Sequence, residues 1–248
     1  MRNFIQKLFS EHTSKLEIHL FDVWHILYLL VIFGGVILLS FLFSKKSDKA
    51  KEKVLRTFAY LVIGFYIADF FIMPLSDSYN GISTDKLPFH ICTFMGVLVP
   101  FFQFNPKWKI LKPTAVTLSI ASSLMWMCYP GSALGGQPPF CYLTFQTFMF
   151  HGFLFAWGVL NLSLGEAELR WKDFWKVFMG VLVIFLWASL GNASYDHNWF
   201  FLKESIFAFL PDKIMPPVVI FCVTGTCFVI YCVYFGIRAL VQKEKATV

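Results

Sequence analysis

Charge is what this sequence has least of. Only 15% of its 248 residues are Asp, Glu, Lys or Arg, against about a quarter in an ordinary soluble domain, and those charges avoid the long apolar runs. The chain also has no CxxC pair, no HExxH motif, no low-complexity tract and no internal repeat. The first two absences remove the spacings that mark common zinc sites. The last removes the symmetry of many secondary transporters. No cleavable-signal pattern opens the chain, because the first long apolar run begins near Phe21 with no small-residue cleavage site behind it.

What is present is apolar. Hydrophobic residues make up 57% of the chain, and 31 residues are phenylalanine. This composition belongs to an all-α polytopic membrane protein built as a single domain over residues 1–248. The net charge of +6 is therefore no nucleic-acid footprint. Lys and Arg gather in short loops, where they set orientation and attract anionic headgroups, so the expected partners are membrane lipids.

Crossing the hydrocarbon takes roughly 20 apolar residues per helix. Seven segments qualify, at about 22–44, 54–75, 87–104, 112–129, 141–164, 174–191 and 217–239, the third and fourth being the shortest. Lys45, Lys46, Lys49, Lys51, Lys53 and Arg56 follow the first. Lys107, Lys109 and Lys112 follow the third, Arg170 and Lys172 the fifth, and Arg238, Lys243 and Lys245 close the chain. The alternate loops are poor in both residues. Seven crossings with the N-terminus outside and the C-terminus in the cytoplasm satisfy this pattern, as expected for a multi-pass protein of the cell membrane. Residues 1–20, with apolar residues at near-helical spacing, are expected to lie along the outer surface. Residues 192–216, rich in Trp and Phe, read as an outer aromatic lid or re-entrant segment. Asn161-Leu162-Ser163 and Asn192-Ala193-Ser194 match the glycosylation sequon. Cys128 and Cys141, at the outer ends of consecutive spans joined by a short loop, are expected to be close enough to be oxidised together, since disulfides persist outside the cytoplasm.

An ionisable residue inside a span is costly and suggests function. The candidates are His25 in FDVWHILYLL, Asp69 in FYIADFFIMPL, His90 and Cys92 in LPFHICTF, and His151 in FQTFMFHGFLF. At 1.5 Å per residue, the first four lie roughly 5–10 Å inside the outer boundary and His151 deeper. Asp69 needs a cation or donor, which His25 or His90 would supply. Pro88 suits a first helical turn and places both His90 and Cys92 in that turn, on nearly opposite faces. Two chemistries use such a set. In acyl transfer, a Cys92 thiolate made by His151 attacks an ester, with Asp69 or Asn198 orienting groups. In the other, histidines and a carboxylate hold a metal that activates water. A third reading has no catalysis at all, only a small transporter or lipid-binding protein with buried polar groups. The residues alone leave these open.

The stretches FDVWHILYLLVIF, LPFHIC, QTFMFHG and GNASYDHNWFFLK together resemble the YwaF family of bacterial integral membrane proteins, over nearly the whole chain. That family is similar to eukaryotic transmembrane-protein phospholipid acyltransferases, which work through a membrane cysteine. It is more distantly similar to androgen-induced-gene hydrolases of fatty-acid esters. The resemblance implies Cys92 as nucleophile and His151 as its partner, with no cofactor and no metal. It also implies a phospholipid and a lysophospholipid-type molecule as acyl donor and acceptor. His25, Asp69, His90 and Asn198 become supporting or substrate-binding residues. Asn198-Trp199 stands where the family has Asn-Tyr, a departure that touches the role of Asn198.

Overall fold

A computed structural model describes residues 17–75, 84–130, 138–205 and 210–247. Most of the expected N-terminal surface segment, and Phe207 and Phe209 of the expected lid, lie outside the described residues. Every regular element described is helical. Seven α-helices follow in order: α1 (Val23–Ser44), α2 (Asp48–Ile72), α3 (Ile91–Phe104), α4 (Lys112–Cys128), α5 (Tyr142–Ser163), α6 (Phe174–Ser194) and α7 (Met215–Thr247). Short 3-10 turns punctuate the connections.

Helix starts follow from local chemistry. Asp22 caps α1, its Oδ1 accepting from the His25 amide at 2.7 Å. The Cys141 sulfur does the same for α5, accepting from the Thr144 amide at 3.5 Å. At α2 the helix begins six residues before the expected span. Its charged first turns carry the i,i+3 pair Asp48–Lys51 and the i,i+4 pair Glu52–Arg56, which support a helix that projects beyond the apolar region.

The start of α3 corrects the sequence reading. The helix begins at Ile91, not near Leu87, and Pro88 lies in a turn ahead of it. The Thr93 hydroxyl accepts from the His90 amide at 3.2 Å and lies 3.1 Å from the Leu87 carbonyl. That hydroxyl holds the preceding turn out of helical geometry. His90 is therefore the extended N-cap residue, with φ −86° and ψ 155°, and the helical-wheel separation from Cys92 does not apply.

Helices α1, α2, α5, α6 and α7 are long and apolar enough to cross a membrane. α3, with 14 residues, spans only about 21 Å, and α4, with 17, about 26 Å, both below the roughly 30 Å hydrocarbon thickness. α5 is the central helix. It packs on α1, α2, α3 and α4 and carries buried residues from Thr144 to Asn161. Close helix approach depends on glycine at two places that matter below. A Cβ on Gly96 of α3 would sit 2.9 Å from the Phe150 ring of α5, and one on Gly191 of α6 would sit 2.5 Å from Phe89.

Candidate functional site

The ends of α2, α4 and α6 and the starts of α1, α3, α5 and α7 share one end of the bundle, and the polar residues collect there. Asp69, in the last turn of α2, is 2% exposed. A lone carboxylate at that burial would be prohibitively costly, and two groups relieve it. Lys86 Nζ lies 2.8 Å from Oδ2, and the Tyr142 hydroxyl donates to Oδ1 at 2.9 Å. Lys86 closes the 3-10 turn Thr84–Lys86. Its carbonyl accepts from the Tyr66 hydroxyl at 2.8 Å, so α2 grips Lys86 twice, through residues one turn apart. The cationic partner of Asp69 is thus Lys86, where the sequence had pointed to His25 or His90.

Lys86 leads directly into α3. Cys92 is partly buried in the first turn of α3, within electrostatic reach of Lys86. One turn further along α3, Gly96 meets Phe150, the residue before His151. Asp69, Lys86, His90 and Cys92 thus lie at the junction of α2 and α3, and His151 on the adjoining α5 lies within electrostatic reach of Lys86 and His90.

His151 is 4% exposed and lies about 14 Å along α5 by helix rise. Its ring stacks on Trp126 of α4, with centroids 4.0 Å apart and planes 8° apart. Nδ1 lies 2.8 Å from the Thr147 carbonyl. A carbonyl only accepts, so Nδ1 carries the proton and Nε2 presents a lone pair. That Nε2 is buried and has no hydrogen-bond partner among the described residues, so it is not bonded to the Cys92 thiol. With its tautomer and ring plane fixed, Nε2 is left able to accept a proton or a hydrogen bond.

His25 is used differently. The Phe21 amide donates to its Nδ1 at 2.9 Å, so Nε2 is the protonated nitrogen and donates to the Met127 carbonyl at 2.8 Å. Both nitrogens are engaged, and the ring ties the start of α1 to the end of α4. Asn198 also binds backbone. It donates to the Glu204 carbonyl and accepts from the Lys203 amide, both at 2.9 Å, holding together the segment after α6. Asn192 clamps Trp199 through both of its main-chain groups, at 2.8 and 2.9 Å. Phe200 then stacks near the His90 ring at 6.3 Å, and Thr84 and His197 hydrogen-bond at 3.2 Å. This segment therefore covers the cluster from the bundle end. Phe200 and Phe201 adopt φ of 60° and 55°, a left-handed conformation that costs a non-glycine residue on the order of 1–3 kcal/mol.

Asn161 and Asn192 of the two sequons are both buried and bonded to backbone carbonyls, a poor state for a glycan acceptor. Cys128 and Cys141 are not joined in a disulfide, against the expectation that they would be oxidised together; Cys128 is exposed, and Cys141 is buried with its sulfur on Thr144. Among the described residues no three His, Cys, Asp or Glu side chains converge as a metal set. The sequence reading missed Lys86, Tyr66, Tyr142 and Trp126. Only Lys86 left a signal, being the single basic residue between Asp69 and Pro88.

A bundle with five membrane-length apolar helices, enclosing a buried polar cluster near one end, defines a multi-pass membrane protein. The TMEM164 family model matches residues 20–237, and the chain belongs to that family. Neither a curated protein nor a solved structure matches it.

Proposed function

We propose that this protein moves a fatty acyl chain between a phospholipid and a lysophospholipid-type acceptor, through a thioester on Cys92 with His151 as general base. The observation that carries the reading is the buried, unpartnered Nε2 of His151, held with its proton on the far nitrogen. In the first half-reaction the Cys92 sulfur attacks the ester carbonyl carbon and its proton passes to His151 Nε2. The carbon–sulfur bond forms and the ester carbon–oxygen bond breaks. The imidazolium returns the proton to the departing alkoxide, leaving a lysophospholipid hydroxyl. The acceptor hydroxyl then reverses these steps and frees the thiol. The first-turn amides of α3 offer donors to the transient oxyanion, and Lys86 adds positive potential. Cys92 and His151 are not hydrogen-bonded without substrate, so the substrate complex must bring them together, as many catalytic pairs require.

Thiol chemistry is preferred to a metal-activated water because the nearby groups are engaged elsewhere. Asp69 is held by Lys86 and Tyr142, and both nitrogens of His25 are bonded to backbone. A lipid-binding or transport role is the second reading, favoured by the buried Asp69–Lys86 pair, since paired charges inside a membrane also mark substrate paths. The site belongs to the outer leaflet of the cell membrane if the basic loops face the cytoplasm.

The test uses purified protein in lipid with a labelled phospholipid and a lysophospholipid acceptor. Intact-mass measurement should find an acyl adduct on Cys92, and chelators should leave transfer unchanged. Full transfer by Cys92→Ser would remove the cysteine mechanism. Loss on chelation, restored by zinc, would put a metal site in its place.

A further inference from the structure

A groove of about 360 Å³ opens between the last turns of α2 and the first turns of α5. Phe65, Ala68, Ile72, Phe140 and Phe145 make its walls apolar, and Tyr142 and Gln146 are its principal polar lining. Phe140 is 72% exposed, and Ile67, Phe71 and Phe145 beside it are exposed as well, so in a membrane the mouth faces lipid. The Tyr142 hydroxyl reaches from the groove to Asp69, which holds Lys86. Gln146 is bonded to Phe65 on one side and to Thr147 on the other, and Thr147 holds the His151 ring. The groove is thus apolar along its length and runs up against the polar cluster. A larger groove, about 430 Å³, is lined by Pro100, Phe101, Phe104, Asn105 and Pro106, at the opposite end of α3 and away from these residues.

We infer that the groove between α2 and α5 holds one acyl chain of a glycerophospholipid, with the ester end directed toward Tyr142 and Lys86. The size favours a chain over a helix. Sites of about 300–1,000 Å³ take small molecules, whereas a packed helix is about 10–12 Å across with its side chains and would lie over this groove without filling it. The amphipathic lining favours a lipid over a purely apolar occupant, because a polar end is needed opposite the Tyr142–Asp69–Lys86 chain. The inference rests on the lipid-substrate reading of the adjacent cluster. It adds the route by which a chain reaches that cluster from the side, in the plane of the membrane.

The test is photocrosslinking of the full chain in phosphatidylcholine nanodiscs doped with a phosphatidylcholine bearing a mid-chain diazirine. Adducts should concentrate on the peptides around Ala68 and Phe145, above those on the lipid-facing residues of α1, which report bulk lipid. Ala68→Trp should lower groove labelling by about tenfold, the change that 1.4 kcal/mol of lost binding produces, with α1 labelling unchanged. Should that variant lose the wild-type α1 pattern, Ile72→Trp fills the same groove and is read in its place. Groove labelling no higher than α1 would overturn the inference. Cys92 acylation without groove labelling would reject the groove and leave the acyltransferase standing. Groove labelling with full transfer by Cys92→Ser would do the reverse.

Discussion

At the scale of single residues, the buried polar groups divide into those whose hydrogen-bonding capacity is used up and those that keep some in reserve. His25 spends both nitrogens on backbone, whereas His151 spends one. His151→Ala should therefore lower acyl transfer on the order of 10²–10⁴-fold, the usual contribution of a positioned base, measured with labelled phospholipid. His25→Ala should act mainly on stability, lowering the midpoint of thermal unfolding. Equal loss of activity in two equally stable variants would contradict this division. Asp69 makes a second prediction. Asp69→Asn leaves Lys86 as an uncompensated charge in a site 2% exposed at its partner, and removing one member of such a pair costs about 3–5 kcal/mol. Asp69→Asn combined with Lys86→Met should recover much of that in detergent unfolding, and no recovery would show that the ion pair is not what the single variant breaks. Where the ionisable residues lie was legible: His25, Asp69, His90 and Cys92 are buried or half-buried near one bundle end, and His151 is buried deeper along α5. Who partners whom was not. The lysine that answers Asp69 comes from a connection whose path no periodicity records, and the clue was only that one lysine stood in a loop otherwise without basic residues.

At the scale of elements, the seven apolar segments became seven helices because length and hydrophobicity dominate in a membrane, where backbone groups must bond within the segment. The starts of α2 and α3 moved for local reasons, ion pairs extending one and the Thr93 hydroxyl delaying the other. Such side-chain bonds are invisible to a hydropathy window. The segment after α6 was legible as aromatic, but its fastening was not. Asn192 read as a sequon residue, yet it binds both main-chain groups of Trp199. Asn192→Ala would leave a buried donor and acceptor unpaired, at about 1–3 kcal/mol each. That loss would fall on a segment already strained at Phe200 and Phe201. Hydrogen exchange of residues 195–205 should then accelerate while exchange in α5 stays at wild-type rates. Unchanged exchange would mean that ring stacking among Phe89, Trp187 and Trp199 holds the cover without Asn192. Gly191→Val tests the same joint from the helix side, since even a Cβ there meets Phe89 at 2.5 Å. It should disturb the LPFHIC turn and lower activity without touching any group that reacts.

At the scale of the molecule, charge and chemistry occupy opposite ends. The connections from α1 to α2, α3 to α4 and α5 to α6, together with the first turns of the helices that follow them, carry 12 of the 21 Lys and Arg, and the end of α7 adds Arg238. The polar cluster and the Phe200 cover sit at the other end, where Lys86, Lys203 and Lys213 are the basic residues described. Basic connections stay in the cytoplasm, so the cluster should face outward and act on lipids of the outer leaflet. Helix lengths do not decide this by themselves, because α3 and α4 are shorter than the hydrocarbon is thick and their crossings depend on neighbours that cover their ends. Ser47 between α1 and α2 and Ser194 at the end of α6 are both exposed and lie at opposite ends. Single cysteines placed there, in intact cells treated with an impermeant maleimide, should label at Ser194→Cys and at Ser47→Cys only after permeabilisation. Labelling of both without permeabilisation would break the seven-crossing topology. Labelling of Ser47→Cys alone would turn the molecule over and assign the Cys92–His151 cluster, with the groove beside it, to lipids of the inner leaflet.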